Sequence, residues 1–230
     1  MADMESKSQT VPDELSADDL KGLLARKWPE AVVAESSWGE SSFLTGHPAF
    51  DSLFPATGIP YGQLIEITGD TGSGKTSLLF LLLSGVTRRG TVAYLDFSGS
   101  FFPASAVTSG VDINRVIVLC PNNQTHAPFT IALRSAELIF RHQLACCVVF
   151  DLIGERGQLP LTLLHRLRMH TVRAKALVIF LTEAQSNLIP ASTTSLKLQV
   201  TRNESGSLQV AVVRSRISQE GIATEVNLHE

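Results

Sequence analysis

Cysteine is scarce in this chain, positive charge is not in excess, and no apolar run is long. The three cysteines among 230 residues, Cys120, Cys146 and Cys147, stand among Val, Leu and Ala with no metal-ligand spacing. An odd set that reads as buried excludes a disulfide framework and points to the reducing cytoplasm. The six histidines show no ligand spacing with cysteine or acid, so a structural zinc has no support. The longest apolar run, Leu78 to Leu83, falls far short of the ~20 residues that span a bilayer. The polar, acidic N-terminus does not read as a signal peptide, so no membrane association is expected. With 19 Lys+Arg against 22 Asp+Glu the net charge is −3. The chain as a whole attracts no polyanion, and any nucleic-acid surface has to be a local patch. The charge is also uneven: residues 1–129 carry 8 Lys+Arg and 14 Asp+Glu, residues 130–230 carry 11 and 8.

Internal repeats and low-complexity segments are absent as well, which leaves one globular domain long enough to bury its own core. Residues 1–15 are polar without hydrophobic period and are expected to be a disordered tail. Ser16, with Asp18, Asp19, Leu20, Leu23 and Leu24 behind it, has the pattern of a capped helix that stops near Pro29. A small, polar, acidic stretch from Ala34 to Ser42 reads as a linker, so residues 16–43 are taken as N-terminal helix plus linker and 44–230 as the main body.

From Leu64 the pattern changes to short apolar strands alternating with helices. Strands are predicted at Leu64–Thr68, Thr91–Leu95, Arg115–Leu119, Cys146–Asp151 and Leu177–Thr182, with helices at Lys75–Val86, Phe129–His142 and Leu161–Ala174. This alternation calls for an α/β fold with a mostly parallel sheet covered by helices on both faces. Beyond Thr193, Leu196, Leu198 and Val200 alternate, as do Leu208, Val210 and Val212 after a turn at Gly206. That is the signature of an antiparallel hairpin at the sheet edge.

Gly69-Asp70-Thr71-Gly72-Ser73-Gly74-Lys75-Thr76, continuing into Ser77, fills every required position of G-x-x-x-x-G-K-S/T between a predicted strand and a predicted helix. Glycines let backbone N–H groups turn inward around phosphates at a helix N-terminus, whose dipole also favours anions. In such a loop Lys75 reaches the β and γ phosphates and the Thr76 hydroxyl ligates Mg²⁺. A second carboxylate for the metal is expected at the end of a neighbouring buried strand, and Cys146-Cys147-Val148-Val149-Phe150-Asp151 supplies one in Asp151. An N-cap role for Asp151 is the bland alternative.

These residues carry a family resemblance. Over roughly residues 44 to 218 the chain resembles the RecA/RadA recombinase-type ATPases, most closely their short bacterial relatives of the ImuA type. Thr45-Gly46-His47-Pro48-Ala49-Phe50-Asp51-Ser52-Leu53 is similar to the segment that leads into that core. Gly58-Ile59-Pro60-Tyr61-Gly62-Gln63-Leu64-Ile65-Glu66-Ile67 resembles the run before the family's phosphate loop, and Gly110-Val111-Asp112-Ile113 and Val212-Val213-Arg214-Ser215-Arg216 match in order. The resemblance implies a RecA-like core binding ATP and Mg²⁺, and a role in bacterial DNA repair and the SOS damage response as an accessory of translesion synthesis. It also implies RecA-type or DNA-repair polymerase partners, homo-oligomers, or single-stranded DNA.

Departures from the family pattern narrow this. Where the recombinases have Asp-x-Glu after the second strand, with the Glu polarising water, this chain reads Asp96-Phe97-Ser98, and Ser98 cannot act as that base. Weak hydrolysis, or none, is expected. The family's adenine-stacking tyrosine falls on Ser105 and the polar residue beside adenine on Phe102; Phe101-Phe102 is expected to serve packing. The family's phosphate-sensing Gln falls on Glu183; Glu183 and Glu155 are the candidate replacement acids, each also readable as a solvated loop acid. Arg214 and Arg216 fall where the recombinases carry two lysines that reach a neighbouring protomer's γ-phosphate, and strand alternation puts both on one face. The loops at 152–161 and 185–194, which in the family contact single-stranded DNA, are short, lack aromatics and hold only Arg156 as a cation. Arg166, His170 and Arg173 recur at helical spacing and form either a phosphate-contacting face or a solvated one.

Overall fold

The computed structural model describes residues 42–55, 58–121 and 127–228, together with Gly22 and Arg26, both helical. The predicted tail, most of the predicted N-terminal helix and all of the linker but Ser42, which is in a strand, therefore lie outside the described residues. Two short strands, β1 (Ser42–Phe43) and β2 (Ile59–Pro60), pair antiparallel around a one-turn helix α1 (Pro48–Asp51). The main sheet is then built by β3 (Gln63–Gly69), α2 (Lys75–Thr87), β4 (Val92–Asp96), α3 (Pro103–Thr108), β5 (Val116–Leu119), α4 (Pro128–Arg141), β6 (Cys147–Asp151), α5 (Leu161–Arg173), β7 (Leu177–Glu183), β8 (Leu196–Arg202), β9 (Leu208–Ser215) and β10 (Ala223–Val226). Its order is β10-β9-β8-β3-β7-β6-β4-β5. Neighbours from β8 to β5 run parallel, and β9 and β10 are antiparallel additions. The fold is the predicted α/β architecture with helices on both faces and a C-terminal hairpin; β10, four residues long with Val226 alone buried, extends that hairpin by a strand the alternation did not reveal.

Continuous apolar strands are satisfied only by cover on both sides. On one face α2 lays Leu78, Leu79, Leu82 and Leu83 over Ile65, Ile67, Val149 and Ile179. On the other, Leu133, Ala136 and Phe140 of α4 and Leu163, Leu164 and Leu167 of α5 cover Val148, Phe150, Val178 and Phe180. The outer side of α2 is itself covered: a Cβ at Gly85 would lie 3.1 Å from Thr45 Cα, so a helix apolar all round has no solvent face to supply. Both α4 and α5 end in a left-handed residue, Gln143 and Lys175. Leu144 N–H then bonds Ile139 O at 2.9 Å and Ala176 N–H bonds Thr171 O at 3.0 Å, the six-to-one closure that satisfies terminal carbonyls.

Cys146 and Cys147 are buried as expected, but Cys120 is exposed, because β5 is the edge strand and the chain leaves the sheet there. Burial pushes the Cys146 thiol up to about 12 and raises Cys147 well above its ordinary value. A thiolate-selective reagent is therefore expected to modify one thiol of three in the native protein and all three in guanidinium, counted by absorbance; three fast native thiols would contradict this packing.

Candidate nucleotide site

In open α/β sheets ligands sit outside the carboxyl ends of the strands, and the sequence-predicted groups converge there. β3 ends at Gly69 and the chain turns through Gly72 (φ 78°) and Gly74 (φ 86°) into α2. Both turns use left-handed backbone that side chains disfavour. At Gly74 a Cβ would also lie 2.3 Å from Leu208 Cδ2, so the loop is seated on β9. Lys75 is buried, and its Nζ donates to Asp70 O at 3.1 Å. Ser73 Oγ is buried without a hydrogen-bond partner among the described residues. A buried ammonium holding one carbonyl, an orphaned hydroxyl and a helix N-terminus are together a cradle whose chemistry fits a phosphate. Thr76 follows on the first turn of α2, half-buried.

Asp151 ends β6. That strand does not adjoin β3 as expected, because β7 lies between them. The separating strand ends in Glu183, which pairs with Gly69 in register, while Asp151 pairs with Leu181. Thr68 Oγ1 donates to Glu183 O at 2.8 Å, fixing that backbone while the side chain stays exposed. Glu155, half-buried, and exposed Arg156 lie on the loop after β6.

Asp151 is 1% exposed and has a partner the sequence did not announce. Tyr94, two residues before the end of β4, donates its hydroxyl to Asp151 Oδ2 at 2.8 Å, and Ser100 Oγ donates to the same oxygen at 3.4 Å; among the described residues Oδ1 accepts Ile153 N–H alone, at 3.3 Å. Burial raises the Asp151 carboxyl above its ordinary value, the Tyr94 bond opposes this, and the charge of Asp96 adds to it. One carboxylate oxygen is thus held and the other is nearly free for a cation or its water. Burial, with the two aspartates beside it, raises Tyr94 in turn, keeping it a neutral donor. The only signal for this pair was a tyrosine in an otherwise aliphatic strand.

Asp96 stands beside Asp151 in register but is spent on its own loop. It accepts Ser98 Oγ at 3.1 Å and Ser100 N–H at 3.1 Å on Oδ1, and Phe101 N–H at 3.0 Å on Oδ2. Ser98 is exposed. Phe101 packs on Tyr94 with ring centroids 4.7 Å apart. Phe102, expected to pack with it, is instead 62% exposed, because it is the N-cap of α3 and turns away from the core. Ser105 is exposed on α3.

Arg214 and Arg216 are placed differently from each other. Arg214, on β9, donates to Thr194 Oγ1 at 2.6 Å and lies 3.9 Å from Glu66 Oε2, whose other oxygen holds Lys197 at 2.9 Å. Arg216 lies one residue past the end of β9 and donates to Ser192 O at 3.1 Å. The loops at 152–161 and 185–194 are stitched together by Leu159 N–H to Leu188 O at 2.9 Å, with Leu159, Leu188 and Ile189 buried.

A central strand feeding a glycine-rich loop and helix, with an acid-tipped strand two places away, defines a P-loop α/β protein. The model of the RecA N-terminal domain matches residues 34–186, and the chain belongs to that family. It is 31% identical to Protein RecA of Lactobacillus acidophilus over 139 residues, covering 58% of this chain and 38% of that one. It is 30% identical to Protein RecA of Bifidobacterium breve over 166 residues (64% and 41%) and 31% identical to that of Fusobacterium nucleatum over 158 residues (67% and 39%). The chain thus spans about two fifths of the curated relatives it matches. Among the described residues no helix is long and apolar enough to cross a membrane, and no group of three or more His, Cys, Asp or Glu could hold a metal.

Proposed function

We propose that this chain is an ATP-binding RecA-like protein of bacterial DNA repair and the SOS response, an ImuA-type accessory to translesion synthesis that binds Mg·ATP and turns it over weakly. The observation that carries it is the pairing of a complete phosphate cradle with Ser98 where a water-polarising acid is needed. Residues 69–77 would hold the phosphates, with Thr76 and Asp151 toward Mg²⁺, which supplies charge neutralisation when bound. RecA-type or repair-polymerase partners and a homo-oligomer are the associations proposed, with Arg214 and Arg216 reaching a neighbour's phosphate. Arg216 is free to swing from its carbonyl contact, whereas Arg214 has first to leave Thr194 and Glu66. The short, packed loops at 152–161 and 185–194 support an accessory over a strand-exchange enzyme.

A DNA-dependent recombinase is the second reading, favoured by the place of Glu183 at the strand tip beside Gly69. ATP turnover with and without single-stranded DNA separates them: strong stimulation supports the recombinase, and tight binding without turnover supports a nucleotide-gated scaffold. Asp151→Asn is expected to weaken ATP binding about tenfold or more in Mg²⁺ and little in EDTA. Because a raised carboxyl pKa means that ionisation costs stability as pH rises above the ordinary carboxylate range, the same variant is expected to be the more stable one near neutral pH. Equal loss with and without Mg²⁺ would assign Asp151 a structural role only.

A further inference from the structure

The helices on the sheet face opposite α2 carry charge that the proposed nucleotide chemistry does not use. Residues 128–143 and 161–175 hold six Lys+Arg and one acid, a local excess of five positive charges in a chain of net −3. Arg141, Arg166, Arg173 and His170 line one open groove of about 570 Å³ between α4 and α5. Its acid, Glu137, is buried: Oε2 takes Arg166 at 2.7 Å, which fixes that guanidinium at the groove wall, while Oε1 has no hydrogen-bond partner among the described residues. Outside the groove lie Arg134 on α4, Arg168 on α5 and Lys175 just past the end of α5.

We propose that this groove binds the phosphate backbone of nucleic acid, independently of nucleotide at residues 69–77. Planar guanidinium forks match phosphate oxygens bidentately. From Arg166 to Arg173 α5 extends about 10 Å, a length over which one strand of DNA presents about three phosphates. A line of cations over that length fits a line of evenly spaced anions better than it fits a folded acidic protein. The groove's aromatic, Phe140, is buried, so no base can stack there and binding is blind to sequence. The rest of the chain, net negative, repels a polyanion and directs it to this face.

Duplex and single-stranded 30-mers, and poly-glutamate of matched charge, are titrated by fluorescence anisotropy between 50 and 200 mM salt. Three phosphate contacts give a log–log salt slope of about −2.7 on duplex, a loss of about 40-fold across that range. Arg141→Gln with Arg173→Gln, which leaves the Glu137–Arg166 pair whole, is expected to weaken DNA binding about tenfold or more and to flatten the slope toward about −1, with ATP affinity unchanged. Lys75→Ala is expected to leave DNA binding intact, which separates the groove from the nucleotide site. Equal affinity and slope for parent and double variant overturn the proposal, as does tighter binding of poly-glutamate than of either DNA, which would assign the groove to an acidic protein.

Discussion

Lys75→Ala is expected to lower ATP affinity by about 100-fold or more while leaving the far-ultraviolet spectrum and unfolding midpoint nearly unchanged. The asymmetry follows from what Lys75 touches. Among the described residues its Nζ has one hydrogen bond, to Asp70 O at 3.1 Å, worth about 1.5–3 kcal/mol to the fold, which the cost of burying the ammonium offsets. Toward a triphosphate the same ammonium is a buried point charge with several charge-assisted bonds to make. Nothing else in the loop replaces that charge: residues 69–74 offer backbone N–H groups, the hydroxyls of Thr71 and Ser73, and the repelling carboxylate of Asp70. Calorimetry with ATP in Mg²⁺ measures the effect. An affinity equal to the parent's, with intact fold, removes the phosphate cradle and with it the nucleotide-binding proposal.

The cradle was legible in the sequence because its requirements are local. Nine consecutive residues set the turn, the donors and the start of α2, and flanking hydrophobicity located the strand and helix. The parallel core was legible for a related reason: buried strands such as Cys147–Asp151 and Leu177–Glu183 write their cover on both faces as unbroken apolar runs. What stayed hidden depends on pairing across long separations. Tyr94 and Asp151 are 57 residues apart and meet only because β4 lies beside β6. That β7 intervenes between Gly69 and Asp151, placing Glu183 at the same edge, is a consequence of strand order that periodicity does not encode. The Glu66, Lys197 and Arg214 cluster likewise joins three strands. Phe102 and Cys120 are exposed although their hydrophobic neighbours in sequence suggest burial, because one caps a short helix and the other leaves an edge strand.

Ser98→Glu is expected to raise single-turnover ATP hydrolysis by about 10²-fold, the lower end of the ~10²–10⁴ that a positioned base contributes. The site can receive the change. Ser98 is exposed, so the longer side chain needs no cavity. Without the Ser98 hydroxyl the loop loses the contacts to Asp96 and Ser100 Oγ, but Asp96 keeps two backbone donors, Ser100 N–H at 3.1 Å and Phe101 N–H at 3.0 Å. The introduced carboxylate gains a like-charged neighbour in Asp96, and repulsion moves its pKa upward, toward the range in which a carboxylate accepts a proton from water. The same repulsion and a less rigid loop are why the lower end of the range is expected. Ser98→Ala is the control: it removes the hydroxyl without adding a base and is expected to leave turnover unchanged. If Ser98→Glu binds ATP normally and turnover stays flat, a base is already in place. Glu183→Gln or Glu155→Gln in the parent then has to lower turnover, Glu183 being the acid that ends the strand between the phosphate loop and Asp151 and Glu155 the acid on the loop after Asp151.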